Sequence, residues 1–75
     1  MNTDEKIKYL EVAAEIQQGI GYFEAQIKNK KTSIRIMAGK FPDLEAKYLN
    51  DIDTYERCIV RLQQRYTTAL ERCKI

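Results

Sequence analysis

Histidine and tryptophan are missing from this chain of 75 residues, proline occurs once, cysteine twice and glycine three times. Each shortage removes a class of chemistry. Without histidine there is no imidazole for general acid–base work or for a zinc site, and no serine or cysteine stands near a plausible base. With so few glycines there is no phosphate-cradling loop either. The two cysteines, Cys58 and Cys73, are not a Cys-x-x-Cys pair. On one helix they stand roughly 22 Å apart, against about 7 Å for a disulfide. They read as reduced small hydrophobes, the alternative being an intermolecular Cys73 bridge. The sequence therefore predicts no catalytic residues, no metal and no cofactor.

Long hydrophobic runs are also absent. The longest uncharged stretch is IQQGIGYF at residues 16–23, far short of the roughly 20 apolar residues that span a bilayer. Charge interrupts the first fifteen residues throughout, unlike a signal peptide, so the expected compartment is the cytoplasm. Apolar residues make up 44% and charged residues 32%, too hydrophobic a balance for disorder. A net charge of +2 gives no global attraction to nucleic acid, so a local patch must carry any such claim. A chain this short buries only about 60% of the surface exposed when unfolded, which makes a partner or a staple expected.

What is present is helical periodicity. Asn2 or Thr3 suits an N-cap, with Asp4 and Glu5 in the first turn beside the positive end of the helix dipole. Apolar residues then recur at Tyr9, Ala13, Ile16, Ile20, Phe23, Ile27, Ile34 and Met37, at spacings of 4, 3, 4, 3, 4, 7 and 3. This predicts one helix over about 3–38. Gly19 and Gly21 fall inside it, but the stripe keeps its phase across them, so a bend is compatible and a break is not expected.

Gly39 suits the left-handed position after a helix, and Pro42 the first position of the next. From there Tyr48, Ile52, Tyr55, Ile59, Leu62, Tyr66, Ala69 and Cys73 alternate by 4 and 3, predicting a second helix over 42–73. So short a connection makes the helices antiparallel neighbours, with facing residues whose numbers sum to roughly 80. Each helix runs from acidic to basic, so an antiparallel pair sets each acidic half beside a basic half. The expected fold is an all-α, single-domain antiparallel hairpin.

Each stripe is wider than a two-stranded seam requires. Ile7, Leu10, Val12, Ile36, Leu49 and Leu70 are left uncovered, which predicts completion of a four-helix bundle by dimerisation or by packing on another protein. Ile7, Leu10, Leu49 and Leu70 are the candidate partner contacts, together with Tyr48, Tyr55 and Tyr66, whose hydroxyls suit an interface edge. Two basic features compete with this reading. Lys28, Lys30, Lys31, Arg35 and Lys40 cluster around the turn as a candidate anion or nucleic-acid site, or simply complement the C-terminal end of a helix dipole. Arg57, Arg61 and Arg65 form a ridge at i, i+4, i+8, either salt-bridged or open to an acidic or aromatic partner.

The basic run, glycine turn and tyrosine-bearing second helix in KKTSIRIMAGKFPDLEAKYL resemble the small co-chaperones of bacterial type III secretion, which pair with a repeat-type chaperone to hold the needle subunit. The resemblance covers most of the chain through this layout, and no residue role is carried over with it. It implies a cytoplasmic heterodimer in which this chain is unstable alone and lends a helical face to its partner. The function expected from sequence is thus a non-enzymatic adaptor or co-chaperone. A small nucleic-acid-binding or regulatory hairpin is the alternative.

Overall fold

A computed structural model describes residues 3–73. They form two helices, α1 (Thr3–Met37) and α2 (Pro42–Cys73), packed side by side as a hairpin. Thr3 already belongs to α1, and the other N-cap candidate, Asn2, lies outside the described residues. The Cα atoms span 58 × 14 × 11 Å, with a radius of gyration of 17.1 Å. A compact chain of this length has about 11 Å. The hairpin is a rod with one line of contact.

α1 runs unbroken through both glycines. A Cβ at Gly19 would stand 3.4 Å from Leu62 Cδ1, so this glycine faces α2, whereas one at Gly21 would meet nothing within 4 Å. The helix ends at Met37, one residue before the sequence expectation, because Ala38 has already turned left-handed (φ 49°) and Gly39 follows it (φ 78°). The Ala38 N–H still donates to Ile34 O at 3.2 Å, and the Lys40 N–H donates back to Met37 O at 3.0 Å. Gly39 thus takes the predicted conformation at no steric cost, but Ala38 shares it at a cost of roughly 1 kcal/mol. Phe41 O accepts the Glu45 N–H at 2.9 Å and opens α2, leaving Pro42 at the first helical position, where a missing donor goes unnoticed.

The register agrees with the pairing rule. Gly19 meets Leu62, Phe23 stacks at 5.6 Å on Tyr55, and Cys73 Sγ lies 3.8 Å from Lys6 O as a weak donor. The seam buries Ala13, Ile20 and Met37 from α1 and Ile52, Ala69 and Cys73 from α2. Half of these are small side chains, and no described side chain falls below 2% exposure. Hydrophobic stabilisation scales with apolar area removed from water, so a seam of this kind supplies little of it. Cys73 is buried and Cys58 half-buried, both free. The intermolecular Cys73 bridge considered from sequence therefore lacks an accessible thiol.

One place in the α1 stripe was blank in the sequence, between Ile27 and Ile34. Lys30 fills it. Its ammonium is 3.7 Å from Asp51 Oδ2, with both side chains about three-quarters buried, and 4.1 Å from the centroid of the Tyr48 ring. The general apposition of acidic and basic halves takes a definite form here, in a pair that crosses the seam. Asp53 is held by Arg57 of its own helix at 2.9 Å.

Candidate partner-binding faces

Of the four leucine and isoleucine positions expected to meet a partner, Ile7, Leu10 and Leu49 are about half exposed. Leu70, the fourth, is half-buried. Tyr48, Tyr55 and Tyr66 are half-buried as well. Tyr48 lies under the Lys30 ammonium and Tyr55 against Phe23, so their rings first serve the hairpin. Val12, Tyr22, Ile36, Phe41, Leu44 and Val60 are exposed as well, Ile36 most of all at 77%. Val12 and Ile36 had been noticed as left over; Val60 had not, because it falls outside the heptad stripe.

The basic tip does not form one site. Lys28, Lys31 and Arg35 share a shallow hollow of about 420 Å³ on α1 with Glu24, Ile27 and Thr32. Glu24 there offsets part of the positive charge, and the Thr32 hydroxyl is turned back onto Lys28 O at 3.0 Å. Lys30 is withdrawn into the seam. Lys40 lies in the turn and does not line the hollow. Helical geometry separates them: residues two apart point in different directions, and a turn adds a further rotation.

A second concavity of about 460 Å³ opens at the end of the hairpin away from the turn. Tyr9, Val12 and Ile16 of α1 form one wall, and Arg61, Arg65 and Arg72 rise from α2 on the other, with Ala69 between. Ala69 is small and buried, which leaves the hollow its depth. The Arg72 guanidinium stands 6.0 Å from the Tyr9 ring centroid, a cation–π contact that ties the two walls together. The arginine ridge noticed in the sequence is therefore divided. Arg57 is paired with Asp53, while Arg61 and Arg65, which pair with no described residue, turn into the cleft with Arg72.

No family model matches this chain. The comparison covers family models, curated proteins and solved structures, none of which is significantly similar to it. Among the described residues no helix is long and apolar enough to cross a membrane. No group of three or more His, Cys, Asp or Glu side chains is placed there to hold a metal ion. The site-forming features are thus surfaces: exposed apolar positions distributed along the rod, one apolar cleft with a cationic wall, and a weaker basic hollow near the turn.

Proposed function

We propose that this chain works by protein association, as a non-enzymatic adaptor or co-chaperone in the cytoplasm. Its hairpin is completed into a four-helix bundle by a second copy or by packing on a different protein. The observation that supports the reading is the imbalance of burial. No described side chain is fully buried, yet nine large apolar ones are exposed on a rod two helices thick. Single exposed apolar residues are ordinary, but this many on so small a chain need a covering surface. The co-chaperone layout that the sequence resembles is one form such an arrangement takes.

Sedimentation equilibrium from micromolar to millimolar concentration, read alongside thermal melts, tests the proposal. Association, or a melting temperature that rises with concentration or with an added partner, supports it. A strictly monomeric, fully helical species whose melting is independent of concentration, and which binds no hydrophobic dye, overturns it.

The second reading is nucleic-acid binding through the basic tip, favoured by the shared hollow of Lys28, Lys31 and Arg35. Gel shifts of DNA and RNA across a salt series decide it. Phosphate contacts weaken steeply as salt rises, so the absence of salt-sensitive binding at low ionic strength removes this reading.

A further inference from the structure

We infer that the cleft walled by Tyr9, Val12 and Ile16 on one side and Arg61, Arg65 and Arg72 on the other is the seat of an acidic amphipathic helix from a partner protein. This deepens the association reading and rests on it. Shape is the first argument. A groove between two packed antiparallel helices is the natural place for a third, whose ridge of side chains fills the space that neither of the first two closes. From Arg61 to Arg72 is about 16 Å along α2, or three turns, long enough to hold a helix of roughly 12 residues.

Charge is the second argument, and it selects the occupant. One wall is apolar and the other carries three arginines, with Gln64, Thr68 and Ala69 between them, so the complement is a helix with an apolar stripe and carboxylates along one flank of it. Arg61 and Arg65 stand four apart on one face of α2 and are engaged by no described acid. They are ready to form forked hydrogen bonds to carboxylates, a geometry that lysine does not offer. Arg72 lies about two turns further on, already oriented by its contact with Tyr9. A phosphate backbone fits less well, because it carries no apolar surface to cover Val12 and Ile16. The paired residue in the ridge, Arg57, does not line the cleft and supplies an internal control.

The test uses the full chain and a fluorescent helical peptide of roughly 12 residues with a leucine stripe flanked by glutamates. A second peptide carries the same stripe flanked by lysines. Anisotropy titrations are expected to show binding of the glutamate peptide, weakening with salt, and none of the lysine peptide. Replacing Arg61→Glu and Arg65→Glu together should weaken binding about tenfold or more, whereas Arg57→Glu should change it little. Val12→Asp should abolish it, with circular dichroism confirming that helix content is retained in each variant.

The cleft assignment is overturned if the glutamate peptide does not bind, if the lysine peptide binds equally, or if the double arginine variant binds as the parent does. It is also overturned if those substitutions dissolve a homodimer, which makes the occupant a second copy. Loss of phosphatidylserine-vesicle or duplex-DNA binding in the double variant, without peptide binding, assigns the arginines elsewhere and has the same result. The two readings fail separately. Concentration-dependent association without peptide binding leaves the association module standing and removes only the cleft's occupant.

Discussion

The Lys30 ammonium lies 4.1 Å from the centre of the Tyr48 ring and 3.7 Å from the Asp51 carboxylate. A charged residue therefore holds a place in the packing stripe of α1 that periodicity reserves for an apolar one. Polar residues at such positions cost stability and fix alignment, since a shifted register would leave the charge buried without a partner. Lys30→Ala should destabilise the hairpin by about 1 kcal/mol, with a comparable coupling to Asp51→Asn in a double-mutant cycle. Lys30→Met should be neutral or stabilising in urea melts, because an ion pair withdrawn from water seldom outperforms an apolar replacement. Strong destabilisation by methionine would remove this account of the position.

The two helical glycines should respond differently. At Gly21 a Cβ meets nothing within 4 Å, so Gly21→Ala gains helix propensity without obstruction, about 1 kcal/mol. At Gly19 the Cβ comes to 3.4 Å from Leu62 Cδ1, and the gain is expected to be smaller as that leucine adjusts. Denaturant midpoints of the two single variants measure the difference. A larger gain at Gly19 would show that the new methyl is packing favourably against α2.

In the turn, Ala38 carries a left-handed φ of 49°. Ala38→Gly should stabilise by about 0.5–1 kcal/mol by relieving it, and Gly39→Ala, at φ 78°, should cost about as much. Thermal melts with opposite signs at adjacent positions are the expected pattern. Equal signs would mean that the turn rearranges when either residue is changed.

Ile52 and Ile36 separate folding from association. Ile52 is buried in the seam, and Ile52→Ala should cost about 2–4 kcal/mol, enough to unfold a small hairpin in the absence of a partner. Ile36 is 77% exposed, and Ile36→Ser should leave the melting of a dilute sample nearly unchanged. If Ile36 lies under a partner, the same substitution lowers the association constant seen by sedimentation without altering circular dichroism.

Much of the fold was legible because two independent signals agree. The 4–3 alternation of apolar residues marks both helices, and Gly39 with Pro42 marks the turn, so the register follows once the pairing about that turn is drawn. Ala38 was not legible: alanine is the best helix former, and only the geometry of the exit forces it out of α1. Lys30 was misplaced because a lysine among lysines reads as surface. What distinguishes it is its partner 21 positions later, Asp51. The cleft was half visible as an arginine ridge. Its apolar wall belongs to the other helix, and the link from Arg72 to Tyr9 appears only when the two are laid together.

The cysteine contact at the end of the rod closes a long loop: Cys73 reaches Lys6 across 67 positions of sequence. Contacts along the seam are nested, each enclosing a shorter loop than the one beyond it, so closing them like a zip from the turn outward is the order that costs least loop entropy at each step. The reverse process begins at the open end, where the last contacts to form are the first to part. That end is where the arginine-walled cleft lies. A helix lodged there would act as a clasp on the zip, and its presence should be read as slowed amide exchange in residues around Tyr9 and Ala69 while the turn, far from the cleft, changes little.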